Sequence, residues 1–582
     1  MITDAAPDEV FTPEDFTDEH KMILETTKDF ILKEVDPNVD RIEEKDNDLV
    51  LELMAKTGEL GLLGTDVPED CGGMGLDKVS TTIVTEAFGP AGSFGAVHSA
   101  HTGIGSLPIV YFGNEEQKKK YLPKLASGEW CGAYCLTESG SGSDALNAKA
   151  KAVLSEDGKY YILNGEKMFI TNAGYASSFV VYAKVDGKAF TGFIVEKDFP
   201  GVSTGAEEKK MGMHGSSTRT VVLEDAKVPV ENVLFEVGKG HKIAFNILNI
   251  GRWKLGASGM GASKACVTNA VKYANGRIQF NVPISSFGMI KTKLANMAIR
   301  TYMCDSMMYR LAGMFDDKLA TLDEAAKKSG AENAKTIEEY ATECSITKVY
   351  GSECLDFCAD EYVQTLGGYG YCAEYPAERF YRDSRINRIW EGTNEINRTL
   401  VPGTIVKRAM AGSLDLLGAA QGVAEELKKD VPYAEELADT PLALQARMVK
   451  MGKKVALMLL GGAFQKFQKN FAKEQEVVAK IADIIIDLFA MESGLLRTMK
   501  MISKEGEEKA KYQIAAVKVY VDEMIPQIKA WGRQVLAYLE QGDALAAQLD
   551  GLEKLTGYQP LDSVTLKRSV ADRIIELESY PF

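Results

Sequence analysis

The sequence predicts a mainly α chain with a central antiparallel β domain: a helical domain, a β domain, a helical bundle domain and an extra C-terminal α-helical domain. Three observations predict this. Apolar residues recur at helical spacing from about Thr17 to Ser127, the period changes to two between Trp130 and about Glu236, and long helical periods return from about Gly240 to the C-terminus. The expected boundaries are 1–129, 130–239, 240–410 and 411–582. A chain of 582 residues accommodates roughly three to five domains.

In the first domain Ile23, Thr27, Phe30 and Ile31 fall at helical spacing, as do Leu53, Leu60 and Leu63, with punctuation at Cys71-Gly72-Gly73 and Leu107-Pro108. In the second, Asp157-Gly158 separates Ala150–Leu154 from Tyr160–Leu163, and Asp186-Gly187 separates Phe179–Val185 from Phe190–Val195. Both read as β-hairpins. Within the last domain Leu457, Leu460, Phe464, Phe467 and Phe471 fall on one helical face and Lys466, Lys469 and Lys473 on the opposite one. Between Pro441 and Lys480 eight basic residues face only Glu474 and Glu476. That is an interfacial anchor pattern, and peripheral contact with an anionic membrane through 441–480 is expected. The competing reading is a core-packed helix with a solvated basic face, interrupted at Gly461-Gly462.

Composition excludes several classes. Apolar residues make up 45% and charged residues 26%, as in ordinary globular proteins. A net charge of −16 repels nucleic-acid phosphate, so no nucleic-acid partner is expected. The acidic, proline-broken start at Met1–Glu9 lacks a signal or transit pattern, and no apolar run is long enough to span a bilayer, so a cytoplasmic protein is expected, with any membrane association at the inner face. Nine cysteines without framework spacing predict free thiols.

Gly140-Ser141-Gly142-Ser143-Asp144-Ala145 fits a dinucleotide glycine pattern, but Asn147–Leu154 alternates like a strand where that fingerprint needs a helix. The loop can still offer backbone N–H groups and the hydroxyls of Thr137 and Ser143 to a cofactor. A second cluster, Gln364-Thr365-Leu366-Gly367-Gly368-Tyr369-Gly370, lets backbone approach a flat ligand. Arginines recur every third residue from Arg379 to Arg388, a pattern that suits a solvated ion-pair strip. Glu391 differs, standing between Trp390 and Gly392 before a helix-capping Thr393-Asn394 pair. An apolar wall there would raise its pKa toward the ~6–7 suited to a general base. His98 and His101 lack a completing ligand, and Cys131/Cys135 and Cys354/Cys358 suit packing better than zinc, so no metal site is expected.

Four blocks in order make the chain resemble the acyl-CoA dehydrogenases, most closely the very-long-chain type with its extra C-terminal helical domain: Tyr134-Cys135-Leu136-Thr137-Glu138-Ser139-Gly140-Ser141-Gly142-Ser143-Asp144, Asn164–Asn172, Arg277-Ile278-Gln279-Phe280, and the Gly367-Gly368 and Glu391-Gly392-Thr393-Asn394 blocks. The resemblance implies that family's fold, with its four-helix-bundle domain over 240–410. It implies FAD, contacted by Tyr134, Leu136, Thr137, Gly142, Ser143, Phe169, Ile170, Thr171, Gln364, Gly367, Gly368, Thr393 and Glu395. Arg277, with Gln279 and Phe280, is implied to reach the FAD of a neighbouring subunit, hence a homodimer. Glu391 is the implied base that takes the α-proton of an acyl-CoA, and Ser143, Asn249, Arg252, Trp390 and Gly392 are implied substrate contacts. The product would be the trans-2-enoyl-CoA, with electrons passed to electron-transfer flavoprotein. An acyl-CoA oxidase using dioxygen and a membrane-associated scaffold that keeps the fold are the alternatives. Phe169 stands where many members have Trp. Gly251 stands where the isovaleryl and long-chain branches carry their base, which leaves Glu391 as the candidate.

Overall fold

A computed structural model describes residues 4–429 and 440–582; Met1–Thr3 of the N-terminal stretch and 430–439 of the last domain lie outside the described residues. Helix α1 (Asp18–Phe30) starts at Thr17, whose hydroxyl accepts the His20 N–H, and α2 (Asn47–Glu59) starts at Asp46, which accepts that of Leu49. These caps satisfy donors that a first turn leaves open. Helix α3 (Lys78–Ala87) is buried throughout, and α4 (Gly92–Ser99) follows it into the site described below.

The β domain holds β1 (Gly132–Cys135), β2 (Lys151–Leu154), β3 (Tyr160–Thr171), β4 (Ser178–Val185), β5 (Ala189–Glu196), β6 (Val202–Glu207), β7 (Thr218–Pro229) and β8 (Val233–Leu234), ordered β6-β7-β3-β2-β4-β5-β8 with β1 on β4. Both Asp-Gly hairpins form, β2 with β3 and β4 with β5. Asp186 and Gly187 take φ of 51° and 70°, the left-handed pair that a tight hairpin turn needs. The sheet is not wholly antiparallel: β1 and β2 both pair parallel to β4, because the chain crosses over after β3 instead of turning back on it. The strand expected from Asn147 begins only at Lys151. Ala145–Asn147 is a single 3-10 turn, held by the Ser141 hydroxyl donating to the Asp144 carbonyl at 2.8 Å.

Four long helices form the bundle: α5 (Gly240–Gly276), α6 (Gly288–Ala320), α7 (Ala341–Leu366) and α8 (Asn394–Met410). Helices α5 and α7 cross at Gly256 and Gly351, where a Cβ on Gly351 would sit 2.8 Å from the Gly256 Cα. A short hairpin, β9 (Ile278–Gln279) and β10 (Val282–Pro283), links α5 to α6. The C-terminal domain follows as α9 (Leu416–Leu427), α10 (Ala443–Phe467), α11 (Gln475–Glu505), α12 (Lys511–Leu539), α13 (Gly542–Thr556) and α14 (Ser563–Leu577). It shares one apolar core with the bundle. At their junction Tyr302 and Thr498 hydrogen-bond at 2.8 Å, and buried Arg497 pairs with Asp305 of the bundle and with Glu14 of the N-terminal segment.

The apolar face on which the interfacial-anchor expectation rested is taken up by packing within the protein. Helix α10 runs unbroken through Gly461-Gly462, since Gly461 is where Ala420 of α9 presses in and a Cβ would meet it at 2.4 Å. The helix ends at Phe467, with Gln468 in a left-handed conformation, so Phe471, Lys469 and Lys473 belong to a separate 3-10 segment. Leu457, Leu460 and Phe471 are buried, and Phe464 and Phe467 pack on the core. Several lysines have partners: Lys466 donates to the carbonyls of Tyr538 and Leu539 at the end of α12, Lys453 pairs with Asp4 and Glu492, and Lys454 pairs with Glu426. Sequence amphipathicity reported a core-facing helix. Among the described residues no helix is long and apolar enough to cross a membrane.

Candidate active site

Glu391 stands on the tight loop before α8, which begins where the Thr393 hydroxyl accepts the Ile396 N–H at 3.3 Å, the cap expected of the Thr-Asn pair. The loop is backbone-strained: Glu391 has φ of 57° and Gly392 of 78°. A non-glycine residue holds that conformation only when its surroundings impose it. Here Arg252 Nε donates to the Glu391 carbonyl at 3.1 Å, while Lys348 Nζ and Asn397 Nδ2 both donate to the Gly392 carbonyl at 2.8 Å. The side chain is left free. Its Oε2 is shut from solvent with no hydrogen-bond partner, although the residue as a whole is half-buried and faces a cavity. Burial pushes the carboxyl up to about 7, opposed by the charges of Arg252 and Lys348. That value suits a group that must accept a proton near neutrality.

Gly251, on α5, lies directly against this carboxyl, and a Cβ there would fall 2.5 Å from Oε2. The position noted in the sequence as lacking a base is therefore the space that the Glu391 carboxylate needs. The cavity in front of it encloses about 110 Å³. Its wall is notably small-chained, with Gly92, Ala96, Ala100 and Gly103 from α4 and the turn beyond it, and Gly251 and Ala262 from α5. Trp390 and Thr171 close it beside Glu391, and the Trp390 indole N–H is held by Asn387 at 3.0 Å.

The residues expected at a flavin fall into groups. Tyr134 and Leu136 belong to β1 and its exit, and Thr137, Gly142 and Ser143 to the loop beyond it. That loop is pinned to β3 by a buried Lys167–Glu138 pair at 2.6 Å, by Lys167 Nζ donating to the Leu136 carbonyl at 3.3 Å, and by the Met168 N–H donating to the Thr137 carbonyl at 2.9 Å. On β3, Phe169 has φ of 58° and is 60% exposed, while the Ile170 side chain is buried in the sheet core and leaves only its backbone available. A Cβ on Gly140 or Gly142 would meet nothing within 4 Å, and the buried Tyr134 hydroxyl has no partner. An uncovered aromatic face at Phe169, open glycine backbone at Gly140 and Gly142 and the Tyr134 hydroxyl fit a flavin nucleotide, and Thr171 at the end of the same strand as Phe169 lines the Glu391 cavity. Thr393 and Glu395 open α8 at the same loop.

Arg277, Gln279, Phe280, Gln364, Gly367 and Gly368 form a second group. The Arg277 guanidinium lies 5.6 Å from the Tyr369 ring centroid, which joins the end of α5 to the glycine turn after α7. Phe280 is 87% exposed, and Gly367 and Gly368 have open space where a Cβ would be. Asn249 and Arg252, expected at substrate, are buried beneath the loop, with Arg252 Nη1 donating to Asn249 Oδ1 at 2.9 Å. Arg252 holds the Glu391 carbonyl, and Asn249 holds Arg252. Ser143 lies exposed on the β1 loop.

His98 and His101 spend ring nitrogens on the carbonyls of Leu62 and Leu125, and His101 Nδ1 also accepts the Gly132 N–H. The nine cysteines are all free, and eight are buried. Sequence reasoning missed Lys348 and Asn397. Lys348 is fully buried on α7, and its mixed neighbours Ser345, Ile346, Thr347 and Val349 gave the sequence no signal for it.

A helical domain, a β domain and a helical bundle around a glutamate carboxyl that faces a cavity without a hydrogen-bond partner have the make-up of a flavin-type dehydrogenase. The chain belongs to the acyl-CoA dehydrogenase family. Residues 17–129 match its N-terminal domain, 133–226 its middle domain, and 238–405 and 451–554 two acyl-CoA dehydrogenase C-terminal domains. A probable acyl-CoA dehydrogenase of Bacillus subtilis is 52% identical over 580 residues, 100% of this chain and 97% of that protein. The mitochondrial very long-chain specific acyl-CoA dehydrogenase of Macaca fascicularis is 36% identical over 84% of this chain and 77% of its own length. The crystal structure of an acyl-CoA dehydrogenase complexed with FAD from Bacillus anthracis superposes with a TM-score of 0.99 at 54% identity, covering 100% of this chain and 99% of that one.

Proposed function

We propose that this protein is an FAD-dependent acyl-CoA dehydrogenase that converts a saturated acyl-CoA to its trans-2-enoyl-CoA and passes the electrons to electron-transfer flavoprotein. The observation that carries the reading is the partnerless Glu391 carboxyl, held at a pKa of about 7 against the cavity. Thr137, Ser143, Phe169 and Thr171, with Thr393 and Glu395, would hold the FAD of the same subunit, and Arg277, Gln279, Phe280, Gln364, Gly367 and Gly368 that of a second copy, which makes the working unit a homodimer. Bound there, FAD supplies the acceptor for the hydride that leaves the β-carbon. Glu391 removes the α-proton. Its backbone N–H, oriented by the Arg252 and Lys348 contacts behind it, donates to the thioester carbonyl and stabilises the charge that develops on that oxygen. The glycine and alanine wall of the cavity suits a slim, unbranched acyl chain.

Anaerobic addition of a panel of acyl-CoAs to the purified yellow protein tests this. Bleaching of the flavin by straight-chain acyl-CoAs is expected, followed by reoxidation with electron-transfer flavoprotein and slow consumption of oxygen. A flavin that no acyl-CoA bleaches would refute the dehydrogenase reading, and rapid oxygen consumption would make the protein an oxidase.

A further inference from the structure

The loop that carries Glu391 is tied to the C-terminal domain by an unbroken series of polar contacts. Lys348, fully buried on α7, donates to the Gly392 carbonyl at 2.8 Å and to Asn394 Oδ1 at 2.7 Å. Asn394 Nδ2 donates to Glu353 Oε1 at 3.0 Å and to the Ser352 hydroxyl at 3.0 Å. Glu353 grips Arg398 with both oxygens, at 2.8 and 3.0 Å, and Arg398 Nε donates to Asp483 Oδ1 at 2.6 Å. Asp483 belongs to α11 of the C-terminal domain. Arg398 and Asp483 are mostly buried while the Glu353 side chain between Arg398 and Asn394 stays 41% exposed, so the series gains less from charge than from the geometry it fixes. It starts at a remote domain and ends on the carbonyl that fixes a left-handed loop.

We propose that Asp483 is a positioning residue for Glu391, acting through Arg398, Glu353, Asn394 and Lys348, so that the C-terminal domain sets the geometry of the catalytic loop. The proposal rests on the reading of Glu391 as the base. The charged groups bearing on Glu391 are Arg252 from α5 and Lys348 from α7, and those bearing on Lys348 are Glu391, Arg252, Glu353 and Glu395. Burial pulls Lys348 down to about 7, and the Glu391 charge works against that pull. Without Asp483, Arg398 loses its outer anchor. The Glu353 carboxylate and Asn394 amide are then free to shift, and the Lys348 ammonium with them.

The test is a double-mutant cycle on the full-length, FAD-loaded protein with Asp483→Asn and Lys348→Met, read as kcat, KM and the pH profile of kcat, with Glu391→Gln as reference. Asp483→Asn is expected to lower kcat roughly tenfold, within the hundredfold that a 1 Å misplacement costs, with KM little changed. Lys348→Met is expected to lower kcat further and to move the acidic limb of the profile to higher pH, because the lysine charge lowers the Glu391 pKa. In the Lys348→Met background Asp483→Asn should have no further effect. Equal loss from Asp483→Asn in both backgrounds, or no loss in either, would overturn the proposal. Should Asp483→Asn fail to fold with FAD, Arg398→Lys, which keeps the charge but not the two-sided grip, carries the same cycle with the same expected and contrary results. Turnover surviving in Glu391→Gln would remove the base reading itself. An inactive Glu391→Gln alongside additive Asp483→Asn would remove only the relay.

Discussion

Substituting alanine for Gly251 adds one methyl group at the place where the proposed base has least room. Built on the existing backbone, the new Cβ lies 2.5 Å from Glu391 Oε2, 2.7 Å from its carboxyl carbon and 3.2 Å from Oε1. Ordinary contact between such atoms is about 3.5 Å, so the carboxyl must withdraw by roughly 1 Å. It cannot do so by moving the loop, whose two carbonyls are clamped by Arg252, Lys348 and Asn397. A displacement of that size costs about a hundredfold in rate when the group displaced abstracts the proton. The assay is flavin bleaching by an acyl-CoA under single-turnover conditions, with FAD content and thermal melting as controls. A folded, FAD-replete Gly251→Ala protein with a rate within about twofold of wild type would refute the assignment of Glu391 and the account of why position 251 is glycine.

Turnover should rise with pH through about 7, because burial raises the Glu391 pKa and only the ionised carboxylate accepts a proton; a profile flat from about pH 6 to pH 8 would contradict this. Arg277→Ala should lower FAD retention, and dilution of the wild type should do the same, since a charge-assisted phosphate contact is expected to come from a second copy; a monomer on a sizing column that keeps its FAD would contradict the cross-subunit arrangement. Wild-type protein should stay in the supernatant with anionic liposomes, because the apolar face of 457–471 is packed inward; sedimentation that Lys469→Glu and Lys473→Glu abolish would restore the membrane reading.

The helix–sheet–helix order and both hairpins were legible because Asp-Gly turns and the change of period act locally. The parallel pairing of β1 and β2 with β4 was not, since it depends on a crossover that leaves no turn signature in the sequence. Glu391 stood out in the sequence by its neighbours, an indole, a glycine and a cap, and the structure sets it against a cavity. Its left-handed backbone was not legible there, because Arg252, Lys348 and Asn397 impose it from elsewhere in the chain. The packing of α10 was out of reach of the sequence for the same reason. Periodicity gave the amphipathic face correctly, but whether that face met lipid or protein depended on Ala420, Tyr538 and Leu539, none of them near it in sequence. Gly461 looked like a break and is a contact point. Lys348 carried no motif, and only its burial marks it.

Glu391 is the group proposed to take the α-proton, and Glu391→Gln measures that directly. The amide keeps the shape of the carboxyl at the position where Oε2 now has no partner, so FAD and acyl-CoA should still bind. Flavin bleaching under anaerobic conditions should slow by about 10²–10⁴-fold, the contribution of a positioned general base. A Glu391→Gln protein that binds FAD and bleaches with acyl-CoA at near the wild-type rate would contradict the account.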